Sequence, residues 1–235
     1  MIPSASPSGA ETPLPALRTL HHQALAGDRQ AARMLVHRGA PLLPELLDSL
    51  LQTPSPGADP RHRQRLLILM GRLAAHWPEQ LLAALQSLPW RQAPAPAITG
   101  LLRCLEAVTG RQQEQVIDMA LEIVSEPERY VAAVRLSAAE LLARLPRPRS
   151  AEILWWALAN DPDWRIKQTI ILGMETRPLL RAPEAIPALS QLHLDRRLAA
   201  AHPELVARAD ALLHRLRSET LTGNVLESQV SEMLL

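Results

Sequence analysis

Four prolines set the frame into which this chain must fold. Pro60, Pro96, Pro127 and Pro162 stand 36, 31 and 35 residues apart, and Asp59, Ala95, Glu126 and Asp161 precede them. Proline suits the first turn of an α-helix, where the amide it lacks would be unpaired anyway, and an aspartate before it can cap that turn. Each proline is therefore read as a helix start. Nine residues after each comes a large aliphatic: Leu69, Leu105, Leu136 and Ile171. Eleven residues after comes a small one: Gly71, Ala107, Ala138 and Gly173. A large and a small side chain held in register four times mark a repeat, because stacked helices approach closely at one point and fill a core beside it.

From Leu17 to about Arg217, apolar residues recur three and four apart, with no sustained alternation and no Asn-Gly turn. That pattern is all-α. A shorter second helix is expected after each first one, near 41–52, 78–88, 111–125, 148–159 and 181–193. An opening helix near 28–38 and a closing one near 203–217 complete the set. A pair of this kind buries its apolar face only against its neighbours, so the expected architecture is a right-handed α-solenoid of about five helix pairs with a terminal capping helix. Residues 1–16, with four prolines and three serines, read as a disordered arm ahead of a repeat domain spanning 17–217. Residues 218–235 read as a tail with a short amphipathic helix: Asn224 caps it, and Leu226, Val230, Met233 and Leu234 share a face. Such a helix either folds back over the last pair or docks into a partner.

The stretch Asn160-Asp161-Pro162-Asp163-Trp164-Arg165-Ile166-Lys167-Gln168-Thr169-Ile170-Ile171-Leu172-Gly173 resembles a HEAT repeat. The first helix of that repeat opens with Asp, then a basic residue, then an aliphatic run to a small one. Asp59 to Gly71, with Arg61, Arg63 and Arg65, and Glu126 to Ala138, with Arg129, are looser copies. The repeat at Pro96 carries no charge until Arg103. The resemblance spans most of 28–217. It implies a HEAT-like solenoid, with first helices on a convex face and second helices lining a concave one. Its functional implication is broad, since such repeats serve scaffolds, adaptors and a few enzymes.

Several chemistries find no footing in the sequence. The formal net charge of +1 exerts no global pull toward nucleic acid or anionic membrane. No apolar run reaches the ~18 residues of a membrane span, and the first residues lack the basic start and apolar centre of a signal peptide. A soluble, cytoplasmic chain is expected. Eight histidines occur, none in a His-Glu-x-x-His spacing, and His21 and His22 are adjacent, so they point about 100° apart on a helix. Cys104, the one cysteine, lies in the apolar stretch Leu101-Leu102-Arg103-Cys104-Leu105 and reads as a buried structural thiol. There is no Gly-x-Ser-x-Gly elbow and no phosphate-binding glycine loop. The chain reads as non-catalytic, without metal or cofactor.

Charge placement is more telling. The expected second helices carry Glu45, Asp48, Glu79, Glu114, Asp118, Glu122, Glu152 and Glu184 against Arg111, Arg149 and Arg181 at their starts. The first helices hold Arg29, Arg33, Arg61, Arg63, Arg65, Arg129, Arg135, Arg165 and Lys167. On the HEAT resemblance this implies an acidic concave side and a basic convex one. Glu114, Asp118 and Glu122 fall at i, i+4 and i+8, one stripe, and Glu45 and Asp48 share a face. Trp155 falls with Ala151, Leu154 and Leu158 and is expected to pack inward, leaving Trp156 beside Glu152 toward solvent. The expected function is a protein-binding scaffold or assembly adaptor whose partner offers a basic segment. Glu45, Asp48, Glu114, Asp118, Glu122, Glu152 and Trp156 are its contact residues. The plain alternative is that an exposed helix face is polar in any case, glutamate being a good helix former. The resemblance also admits a HEAT-like bilin lyase or chromophore chaperone. A HEAT-like DNA glycosylase would need a basic groove, and here the groove has the opposite sign, with Trp156 and Glu152 its only candidates.

Overall fold

The computed structural model describes residues 13–52, 59–145 and 147–233, with side chains described as far as residue 220. Among these residues every regular element is helical: thirteen α-helices and five single-turn 3-10 segments, with no strand. Among the described residues, no helix is long and apolar enough to cross a membrane. The chain divides into two compact units, Met1–Gln112 and Gln113–Leu235.

Unit 1 contains α1 (Leu14–Ala26), α2 (Arg29–Arg38), α3 (Leu43–Leu51), α4 (Pro60–His76), α5 (Pro78–Gln86) and α6 (Ala95–Leu105). Helices two apart in sequence pack side by side: α2 on α4 and α4 on α6 make one row, and α3 on α5 makes another. Contacts of α4 with α3 and α5, and of α3 with α6, join the rows, while α1 lies against both α2 and α4. The α1–α2 turn is built from two adjacent residues. Gly27 ends α1 at φ +112°, a left-handed backbone that a side chain would strain, and Asp28 accepts from the amides of Gln30 and Ala31 at 2.8 and 3.1 Å. Asp59 caps α4 on the amide of Arg61 with Pro60 in the first position, and Pro96 sits in the first turn of α6. The indole of Trp77 donates to the Val36 carbonyl at 2.7 Å, tying the end of α4 to the end of α2. Leucine does the packing that phenylalanine does elsewhere: Leu17, Leu35, Leu43, Leu47, Leu50, Leu73, Leu81 and Leu101 are fully buried.

Unit 2 contains α7 (Gln113–Ser125), α8 (Ala132–Arg144), α9 (Pro148–Asn160), α10 (Trp164–Thr176), α11 (Ile186–Leu194), α12 (Arg196–Ala201) and α13 (Pro203–Met233). The same step-over packing recurs, with α8, α10 and α13 in one row and α7, α9 and α11 in the other. Ile117, Ile123, Val124, Leu142, Leu154, Ile166, Ile170 and Ile171 fill the space between.

Two of the four proline starts differ from expectation, and one buried ion pair lies beside both. Residues 127–130 form a turn, and α8 begins only at Ala132. The guanidinium of Arg135 takes the carbonyls of Pro127 and Tyr130, at 3.2 and 2.6 Å, so this backbone is held as a turn. The same guanidinium pairs with Asp161, Nε to Oδ2 at 2.8 Å and Nη2 to Oδ1 at 3.0 Å, both side chains nearly inaccessible. Asp161 Oδ1 also accepts from the Asp163 amide at 2.8 Å, while α10 begins at Trp164 with Asp163 capping it on the amide of Arg165 at 2.9 Å. Lys167, expected on a basic surface, is buried as well. Its Nζ donates to the carbonyls of Leu158 and Ala159, at 2.6 and 3.2 Å, at the carboxyl end of α9, where a cation meets unpaired carbonyls.

The repeated small residue plays its part in unit 2. A Cβ on Gly173 would stand 3.2 Å from Leu180 Cδ1 and 3.3 Å from Ala143 Cβ, and Ala138 is fully buried. In unit 1 it does not. Gly71 has nothing within 4 Å of such a Cβ, Ala107 falls beyond α6, and the close approach is at Gly100, 2.9 Å from Leu67 Cδ2. At the ends of the chain, residues 14–16 belong to the first turn of α1, and residues 1–12 of the expected arm lie outside the described residues. Helix α13 runs without a break through the expected closing helix into the tail. The apolar face expected of Leu226, Val230, Met233 and Leu234 lies outside the described side chains.

Candidate protein-binding surface

Helices α7 and α9 lie side by side in unit 2, and five of the seven expected contact residues are on them. On α7, Val116, Ile117, Ala120 and Val124 face the core, leaving Glu114 and Asp118 exposed and Glu122 half-buried. On α9, Ala151, Leu154, Ala157 and Leu158 are buried, leaving Arg149, Glu152 and Trp156 exposed. The two tryptophans part as expected. Trp155 turns inward and donates its indole N–H to the Leu180 carbonyl at 3.0 Å, whereas Trp156 keeps 41% of its surface in solvent.

The acidic stripe of α7 is partly spoken for. Asp118 pairs with Arg149 across to α9, and Glu122 accepts from the Tyr130 hydroxyl at 3.2 Å with Arg129 at 3.6 Å. Glu114 and Glu152 have no ion-pair partner among the described residues. Burial, with Glu122 adding to it, pushes the Tyr130 hydroxyl up to about 12, so it remains a donor at neutral pH. In unit 1, Glu45 and Asp48 are exposed on α3 and form a patch of their own. Arg18 holds Glu45 through two hydrogen bonds, at 3.1 and 2.6 Å, which keeps the Glu45 carboxyl below its ordinary range. Asp48 accepts from the Gln52 amide at 2.6 Å.

Two further groupings stand outside the expected contact residues. In the first, His193 Nδ1 meets Asp210 Oδ1 at 2.6 Å in an open cleft of about 470 Å3 between α11 and α13. Ser190 lines the same cleft, but its hydroxyl accepts from Arg217 at 3.4 Å and no bond joins it to His193 among the described residues. A nucleophile paired with its base is therefore not assembled there. The second is a set of arginines on α2 and α4. The signal for it was in the sequence: α1, α2, α4 and α6 contain nine arginines and not one Asp or Glu. Nucleophilic chemistry at Cys104 is disfavoured, since the thiol is buried against the Leu67 carbonyl and burial pushes it up to about 12. Among the described residues, no three of His, Cys, Asp and Glu are placed to hold a metal ion. Comparisons with protein-family models, curated proteins and solved structures find no match to this chain.

Proposed function

We propose that this chain is a non-catalytic adaptor built as a HEAT-like α-solenoid, which holds a protein partner on its acidic concave side, at the solvent-facing residues of α7 and α9. The step-over packing within each unit, first helices on first helices and second on second, supports the solenoid reading. The observation that carries the functional reading is Trp156. An indole 41% exposed on a helix whose opposite side is locked into the core gives a rigid aromatic anchor. Such anchors dominate the energetics of interfaces when a partner covers them. Glu152 one turn before it and Glu114 on the adjoining helix leave two unpaired carboxylates nearby, so the partner offers a basic segment. Asp118 and Glu122, already held by arginines, shape the surface more than they attract. Glu45 and Asp48 are an accessory acidic patch in unit 1.

The test is affinity purification from cytoplasmic extract with the wild type beside a variant carrying Glu114→Lys, Glu152→Lys and Trp156→Ala. All three positions are exposed, so unchanged circular dichroism and melting are expected. A partner retained by the wild type and reduced about tenfold or more by the variant, as loss of a hot spot implies, is the expected result. The same partners on both proteins would sink the assignment.

A further inference from the structure

A second surface, in unit 1, has the opposite charge. Arg29, Arg33 and His37 follow one another at i, i+4 and i+8 on α2, a stripe about 12 Å long. On the neighbouring α4, Arg65, Ile68, Arg72 and His76 fall at i, i+3, i+7 and i+11, about 16 Å. Between the helices lie two clefts that share Arg72. One, of about 250 Å3, is lined by Arg29, Arg65 and Arg72 together with Ala32, Ile68 and Leu69. The other, of about 310 Å3, has Arg33, His37, Arg72 and His76 around Val36 and Ala75. The carboxylate at this surface, Asp28, is committed to the first amides of α2. Arg65 spends one nitrogen on the Leu25 carbonyl at 2.6 Å, while Arg29, Arg33 and Arg72 have no ion-pair partner among the described residues. Ile68 is 52% exposed. Arginines interleaved with exposed aliphatic side chains are what this face presents.

We propose that the α2–α4 face is a docking groove for an acidic, leucine-bearing helical segment of another protein. Arginine binds carboxylate through two parallel hydrogen bonds, and carboxylates spaced one helical turn apart match the spacing of Arg29 with Arg33. The leucines of such a segment cover Ile68 and the alanines beside it, which removes the exposed aliphatic surface from water. A single-stranded nucleic acid would match the charge but not the aliphatic side chains. Strands of that kind are held by stacking bases on aromatic faces, neither cleft is lined by Trp or Tyr, and the rings of His37 and His76 pack edge to face on each other, 5.0 Å apart. The indole of Trp77, at the end of α4, is already bonded to the Val36 carbonyl. This groove stands independently of the α7–α9 surface, and its failure would leave that reading untouched.

The experiment is fluorescence anisotropy with the full chain and a labelled, end-capped peptide of about 18 residues, about five helical turns, in which Glu and Leu recur at i, i+4 among alanines. Three control probes accompany it: the same peptide with Gln for Glu, the same with Ser for Leu, and an oligodeoxythymidine. Binding of the Glu–Leu probe is expected to weaken about tenfold or more with Arg33→Glu and Arg72→Glu together, and about threefold or more with Ile68→Ser. The Gln probe is expected to bind about tenfold more weakly than the Glu probe, and the Ser probe more weakly too. Should the charge-reversed protein lose its helical signal, Arg33→Gln with Arg72→Gln takes its place. No binding of the Glu–Leu probe overturns the proposal, as does equal binding of the Gln probe. Tighter binding of the oligodeoxythymidine than of the peptide overturns it in favour of a nucleic-acid surface.

Discussion

In α2 and α4 of unit 1, Arg29, Arg33 and Arg72 stand in solvent, with the exposed Ile68 on the same face of α4 as Arg72. In α8 and α10 of unit 2, Arg135 and Lys167 are 4% and 7% exposed, held by a carboxylate and by main-chain carbonyls. Both sets lie on helices that the sequence reads as the first of a pair, and both read alike as basic residues on a helical pattern. Their energetic roles differ in kind. A buried guanidinium is tolerable only if its partners are already in place, and Asp161, Pro127 O and Tyr130 O supply them. An exposed arginine needs no internal partner and contributes little to folding, which leaves it available to something outside. The charge totals follow the same division. Residues 1–112 hold 11 basic and 7 acidic side chains, and residues 113–235 hold 14 and 17, so the overall +1 conceals units of opposite sign.

The sharpest way to break this contrast is to truncate one arginine from each unit. Arg135→Ala strands Asp161 in the interior and is expected to cost about 3–5 kcal/mol in denaturant unfolding, whereas Arg72→Ala is expected to shift stability by less than about 0.5 kcal/mol. Equal losses would mean that the two arginines do the same job. Replacing the pair together, Arg135→Met with Asp161→Leu, should recover much of the loss, because no charge is then left unpaired.

Alkaline pH provides a smaller and graded probe. The Cys104 thiol ionises near 9.0 when unfolded and is pushed up to about 12 in the folded chain, chiefly by burial. Between those values the folded state keeps a proton that the unfolded state has lost. Stability is therefore expected to fall as pH rises from 9 toward 12, on the order of 1 kcal/mol per pH unit, and to be unaffected by this group below that window. Cys104→Ala should flatten the slope from pH 9. Tyr130 of unit 2, ordinarily at 10.0 and pushed up to about 12, acts with the same sign, so a residual slope above pH 10 should remain. A Cys104→Ala protein with the wild-type slope from pH 9 to 10 would show that the thiol is not buried in solution.

The smallest effect expected separates the two glycines of the repeat register. Gly71→Ala meets nothing within 4 Å and should stabilise unit 1 by about 0.5–1 kcal/mol through the backbone alone. Gly173→Ala places a methyl group 3.3 Å from Ala143 Cβ and should forfeit that gain or destabilise. Thermal melts in which both substitutions stabilise equally would remove the distinction.

Sequence alone determined that this chain is helical, where most of its helices begin, and which of two adjacent tryptophans faces solvent. Those properties rest on local rules: the spacing of apolar residues, the missing proline amide, and the hundred-degree step between neighbours on a helix. The arginine-only run through α1, α2, α4 and α6 was equally visible in the letters, although its meaning was not. Tertiary structure decided which charges stay outside. Arg135 is a strut and Arg72 a surface residue because Asp161 arrives beside the first, from 26 residues away, and no carboxylate pairs with the second among the described residues. The same guanidinium holds the turn that delays α8, and its partner Asp161 lies just ahead of the Asp163 cap of α10. It likewise took spatial neighbours to show that Glu45, Asp118 and Glu122 are engaged, while Glu114 and Glu152 are left unpaired. Helical periodicity is written into consecutive residues, but the desolvation of a charge depends on what the rest of the chain brings next to it.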